Sequence, residues 1–118
     1  MTKTRGMGPL EAEVMEYLWM VGTGTPAEVR TGLGADLAYT TVMTILTRLW
    51  KKGFLERERT GRSFTYRPVE SQAEHRARGM RSTLDKASDR EAVLSRFVDE
   101  LSEGDTRTLR RLLESGPD

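Results

Sequence analysis

The sequence predicts a mainly α fold with a small β-wing, in which three helices and a hairpin are followed by helices alone. Three observations predict it. Apolar residues recur at helical spacing through most of the chain. Period-two alternation is confined to about residues 54 to 68, around the glycine-bearing turn Thr60-Gly61-Arg62. Helix-start signals of the Ser/Thr-x-x-Glu kind recur at Thr25-Pro26-Ala27-Glu28, Ser71-Gln72-Ala73-Glu74 and Ser88-Asp89-Arg90-Glu91.

The first helix opens at Pro9, whose missing N–H would be unpaired at a helix start in any case. Glu11 and Glu13 complement the positive end of the helix dipole, and Glu11, Glu13 and Glu16 read as a solvated N-terminal turn. Leu10, Val14, Leu18 and Val21 form the expected core stripe, and Gly22 and Gly24 end the helix. A short second helix follows the Thr25 cap, carries Val29 and Leu33 inward and ends at Gly32-Leu33-Gly34. The third helix runs from Leu37 or Ala38 to Lys52 and is stopped by Gly53. Val42, Ile45, Leu46, Leu49 and Trp50 fall on one side. Thr40, Thr41, Thr44, Thr47, Arg48 and Lys51 fall on the other. Trp19 and Trp50 are both expected in the core. Strands are expected over Phe54 to Arg59 and Ser63 to Pro68, with Phe64 and Tyr66 facing inward.

Beyond residue 70 three further helices are expected, over 71 to 87, 89 to 101 and 103 to 115. The first places Ala73, Ala77, Met80, Leu84 and Ala87 at the alternating spacing of a helix-pair seam. The second shows Val93, Leu94, Phe97, Val98 and Leu101, and the third Leu109, Leu112 and Leu113. Some 50 residues with so few large apolar groups bury little surface alone. Pairing with a second copy is the expected remedy, so Met80, Leu84, Leu94, Phe97, Val98, Leu101, Leu109, Leu112 and Leu113 are the expected dimer contacts. Two domains follow, 1–69 and 70–118.

Composition narrows the function. The chain has 118 residues, a mean hydropathy of −0.57 and a net charge of only +1. No apolar run approaches the roughly 18 residues a spanning helix needs, nor does the N-terminus read as a signal peptide. A cytoplasmic protein with no membrane partner is expected. The absence of Cys excludes disulfides, thiolate metal sites and thiol nucleophiles. His75, the sole histidine, stands in no metal-ligand pattern, and no nucleophile elbow, phosphate loop or supported carboxylate pair is present. No enzyme, cofactor or metal is expected.

The charge is unevenly spread. Residues 1 to 68 carry ten Lys/Arg against seven Asp/Glu, and residues 69 to 118 carry nine against eleven. Between Arg48 and Arg67 seven basic side chains meet only Glu56 and Glu58. Three helices and a hairpin in this order make a winged helix-turn-helix. Its third helix has short polar groups near its start and long basic ones further along, which suits a helix entering the DNA major groove. Thr40, Thr41 and Thr44 are the expected base readers. Arg48, Lys51, Lys52 and Arg62 are the expected phosphate contacts. The expected function is a transcriptional repressor that binds an inverted-repeat operator in double-stranded DNA as a homodimer. The alternative is a winged-helix protein-interaction module without specific DNA binding.

The runs Asp36-Leu37-Ala38-Tyr39-Thr40-Thr41-Val42-Met43-Thr44-Ile45-Leu46-Thr47-Arg48-Leu49, Lys51-Lys52-Gly53-Phe54-Leu55 and Gly61-Arg62-Ser63-Phe64-Thr65-Tyr66-Arg67-Pro68 resemble the penicillinase repressor family, the BlaI/MecI group. So do Leu10 to Met15 and Leu18-Trp19. The resemblance implies a dimeric repressor with an N-terminal winged helix and a C-terminal helical dimerisation domain, and it places base contacts at Thr40, Thr41 and Thr44. It also implies an upstream sensor protease and a cleavage position at Arg96-Phe97, with Arg where resistance-regulating members carry Asn. The cysteines used by the copper-responsive branch are missing here.

Overall fold

The computed structural model describes residues 6–34 and 36–116, so the outermost residues of both expected domains lie outside the described residues. The element order is α1 (Pro9–Val21), α2 (Pro26–Leu33), α3 (Tyr39–Lys51), β1 (Leu55–Thr60), β2 (Ser63–Pro68), α4 (Gln72–Asp85), α5 (Arg90–Asp99) and α6 (Glu103–Ser115). Every expected element is present; β2 and α6 keep their expected bounds, and the other ends fall within a few residues of expectation. The chain divides into two compact units, one ending at His75 and one starting at Arg76.

Local chemistry sets the helix ends. At α2, Thr25 Oγ1 accepts from the Glu28 amide at 3.2 Å while Glu28 Oε1 accepts from the Thr25 amide at 2.9 Å, the reciprocal capping box read from the sequence. Ser71 and Glu74 repeat it at α4 with bonds of 3.0 and 2.8 Å. At α5 the cap is Asp89 rather than Ser88. Its carboxylate takes the Ala92 amide at 3.0 Å. At the end of α3, Gly53 has φ +91°, the Phe54 amide donates to Leu49 O at 3.0 Å and the Gly53 amide donates to Trp50 O at 3.1 Å. That paired closure needs a left-handed residue after the cap, which glycine adopts without Cβ strain. It also turns the chain directly into the wing.

The wing is a two-stranded antiparallel hairpin with Leu55 opposite Pro68 and Thr60 opposite Ser63. Gly24 forms a bridge with Tyr66, each amide donating to the other's carbonyl at 3.0 and 2.9 Å. The wing base is thereby pinned to the α1–α2 corner. The core of this unit comprises Val14, Met15 and Leu18 from α1, Val29 from α2, Val42, Ile45, Leu46 and Leu49 from α3, and Phe54, Leu55 and Tyr66 from the wing.

Three expected core residues sit at the surface instead. Leu10 is 39% exposed, Val21 46% and Trp50 37%. The buried stripe of α1 includes Met15 and Glu11, so its centre is rotated away and Leu10 and Val21 fall roughly 70–90° to one side at 100° per residue. Trp50 stands at a comparable angle from the Val42-Ile45-Leu46-Leu49 stripe of α3. Trp19 is half-buried against the core, its indole donating to Glu70 O at 3.0 Å.

The C-terminal unit is built differently. Among the described residues, none in α4, α5 or α6 is buried. Met80, Val93, Leu94, Phe97, Val98, Leu112 and Leu113 are all exposed, whereas Leu84, Leu101 and Leu109 are half-buried.

Candidate nucleic-acid interface

The buried stripe of α3 fixes the rotation of the helix about its axis, and the opposite side is thereby presented outward. Thr40, Thr44, Arg48 and Lys51 are exposed there and Thr41 is half-buried. Thr40, Thr41, Thr44 and Arg48 line one wall of an open groove of about 890 Å³, whose other wall is Gly8, Pro9 and Leu10 at the start of α1. The misplaced Leu10 therefore supplies apolar surface to the groove. Arg62 is exposed at the wing tip beside Gly61. Among the sequence-predicted DNA contacts, the structure brings the threonines and Arg48 together in this groove and places Arg62 separately on the wing.

Lys52 lines the same groove, but its ammonium is already engaged. Its Nζ donates to Glu11 Oε1 at 2.8 Å and to Gly6 O at 2.9 Å. Glu11 Oε1 also accepts from the Gly8 amide at 2.9 Å, and Glu11 is only 6% exposed. Glu11 is thus not the solvated residue the sequence suggests. It ties the start of α1 to the end of α3 across 41 positions of chain, a pairing no local pattern announces. Burial alone would raise the Glu11 carboxyl. The hydrogen bonds from Lys52 and Gly8 and the charges of Lys52 and Arg48 outweigh burial, so its pKa lies below the ordinary value of 4.5.

A lowered folded-state pKa means that the unfolded chain binds this proton more tightly, so the stabilisation is present above 4.5 and is lost as pH falls through the folded value. Wild-type urea stability is therefore expected to hold near neutrality and fall in the acid range. Glu11→Gln is expected to cost about 1–3 kcal/mol at pH 7 and to flatten the acid limb. Unfolding midpoints at pH 7 and pH 3 check both.

His75, which the sequence leaves without a partner, sits among rings. Its centroid is 5.1 Å from that of Trp19 and 5.8 Å from that of Phe54, and its Nδ1 lies 3.3 Å from Glu70 Oε2. No cluster of three or more metal-ligating side chains exists among the described residues.

In the C-terminal unit the expected dimer contacts converge on two apolar grooves. Met80, Leu84, Val93, Leu94 and Phe97 line one of about 420 Å³. Met80, Phe97, Leu101, Leu109 and Leu112 line a second of about 270 Å³. Met80 and Phe97 serve both, and Val98 and Leu113 lie outside them.

With this geometry in place, the comparisons with known proteins are specific. The transcriptional regulator BlaI of Mycobacterium tuberculosis is 40% identical over 119 aligned positions, covering 96% of this chain and 86% of that one. The solution structure of the DNA-binding domain of the repressor BlaI superposes with a TM-score of 0.54 at 32% identity, covering 63% of this chain and 93% of that domain. The Bacillus licheniformis BlaI monomeric form in complex with the blaP half-operator gives a TM-score of 0.50 with the same identity and coverage. Residues 7–115 match the penicillinase repressor family. The chain belongs to that family, the BlaI/MecI group of winged-helix transcriptional regulators.

Proposed function

We propose that this protein is a sequence-specific DNA-binding repressor that works as a homodimer on a dyad-symmetric operator. The carrying observation is α3, one side of which is locked into the core while Thr40, Thr44, Arg48 and Lys51 stand free on the other. Thr40, Thr41 and Thr44 read base edges, with their methyls suited to thymine. Arg48, Lys51 and Arg62 hold phosphates. Lys52, engaged by Glu11, acts mainly by keeping α1 against α3. The family's half-operator complex, similar in fold to the N-terminal unit, supports DNA as the ligand of this face. Repression follows from occupancy of promoter DNA, with no bond made or broken.

The N-terminal domain reads DNA and the C-terminal domain pairs two copies. The second copy covers the apolar faces of α4, α5 and α6, which have no buried residue of their own among the described residues. The protein acts in the cytoplasm, and no helix among the described residues is long and apolar enough to cross a membrane. The Arg96-Phe97 bond, the position for a sensor-triggered cut, lies inside α5. A protease reaches it only after local unwinding.

The test is selection of duplexes from a random library at about 150 mM salt, with solution mass measured in parallel. Enrichment of an inverted repeat with half-sites about one helical turn apart, by a particle of twice 13.4 kDa, is expected. A monomer that holds every duplex equally would overturn the reading and leave a protein-interaction module. On the selected duplex, Thr44→Ala is expected to relax discrimination at one base pair by about 1–3 kcal/mol. Lys51→Ala is expected to weaken all sequences alike and reduce the salt slope by about one. Binding isotherms across a salt series separate the two.

A further inference from the structure

The inner face of the wing carries an arginine in line with core residues. Strand alternation puts Arg57 on the same side as Leu55 and opposite Tyr66, both buried. Its guanidinium carbon lies 3.6 Å from the Trp50 ring centroid and 4.0 Å from that of Phe64. Its Nη1 donates to the Tyr66 hydroxyl at 3.3 Å. Arg59 approaches Phe64 from the tip side at 5.0 Å. The neighbouring Glu56 and Glu58 face the other way, toward Arg67, at 3.1 and 4.0 Å. Among the described residues Arg57 has no carboxylate partner within ion-pair distance.

Arg57 is therefore held by ring faces and not by an acid. The two rings come from different elements, α3 and β2, so the guanidinium is the joint between helix and wing. A planar guanidinium stacks on rings in a way that a lysine ammonium, a hydrated point charge, does not. Trp50 stands at the edge of α3, between its core stripe and its outer face, which explains why a tryptophan is left partly in solvent.

We propose that Arg57 is a positioning residue for DNA binding. Stacked between Trp50 and Phe64, it fixes the angle of the wing to α3, so that Arg62 and the threonine face engage one duplex together. This rests on the DNA-binding reading above.

The test uses the full chain carrying Arg57→Lys or Arg57→Met. Four readouts are compared with wild type: unfolding midpoint, amide hydrogen exchange over β1 and β2 without DNA, affinity for the selected duplex, and affinity for a scrambled duplex. Both variants are expected to keep a near-wild-type midpoint and to exchange faster in the wing. Both should bind the selected duplex about tenfold more weakly, about 1.4 kcal/mol, with little change on the scrambled one. Trp50→Phe, which keeps a ring, should retain affinity, and Trp50→Leu should lose as much as Arg57→Met. Full affinity in Arg57→Lys would overturn the proposal, because charge alone would then suffice. Equal loss on both duplexes would overturn it in favour of a direct phosphate contact. A wild-type chain that selects no duplex overturns the DNA-binding reading and the positioning role with it. Wing exchange, measured without DNA, identifies the separate failure: unchanged exchange in Arg57→Met removes the joint whatever the DNA result.

Discussion

Phe97→Glu is expected to convert the protein to a monomer and to lower its affinity for a two-half-site operator by about 10²–10⁴-fold. The ring lines both apolar grooves of the C-terminal unit yet is 43% exposed within one chain. It is therefore free to pack against a second copy. Burying such a ring contributes roughly 1.5–3 kcal/mol. A two-fold interface uses the same residue twice, so both contributions go together. A carboxylate at that position must also be desolvated without a partner, which adds to the loss. DNA affinity falls because one half-site is then held without the tether to the other. Helix α5 should persist, since its Asp89 cap and backbone bonds do not involve the ring. Light scattering and far-ultraviolet dichroism on the same sample check the two halves. A variant that remains at twice the chain mass would mean that the pairing surface lies elsewhere.

The sequence made the helix ends and the wing legible because short-range chemistry sets them. Pro9 and Pro26 open helices, Gly53 closes one, and Thr25 with Glu28 forms its cap from residues three apart. The outer face of α3 was legible for the same reason, since a period of 3.6 separates two chemically distinct sides. What escaped lies at the edges of stripes and across the fold. Leu10, Val21 and Trp50 belong to their stripes by spacing alone, but the true centre of each stripe depends on which neighbours pack against it. Glu11 and Lys52 are each ordinary surface residues in sequence, and only the approach of α1 to α3 makes them a part-buried pair. Arg57 reads as one more basic residue in the wing until Trp50 and Phe64 arrive on either side of it. Local pattern thus marked out the polar outer face of α3 and missed the contacts that hold that face in place. Those contacts are tertiary, and each depends on elements being assembled first.

Leu46→Ala is expected to cost about 3 kcal/mol of stability in the N-terminal unit while leaving base preference and salt slope unchanged in the folded fraction. Leu46 is fully buried in the middle of α3, where truncation removes transfer energy and leaves a cavity, typically about 2–5 kcal/mol for Leu→Ala. A unit of this size has a total stability of about 5–15 kcal/mol, so the variant should be visibly weakened. With a urea dependence of about 1 kcal/mol per molar for a small domain, its midpoint should fall by about 3 M. Thr44 lies two residues earlier on the opposite side of the same helix and is exposed. Its replacement by Ala should shift the midpoint little, since exposed substitutions usually fall within about 0.5 kcal/mol, and should instead relax sequence discrimination. The two substitutions therefore separate the faces of one helix by two independent measurements. If Thr44→Ala destabilised the fold as much as Leu46→Ala, or if Leu46→Ala altered base preference with the fold intact, the division of α3 into a packing side and a reading side would be wrong. The decisive comparison is urea unfolding set beside duplex selection for both variants.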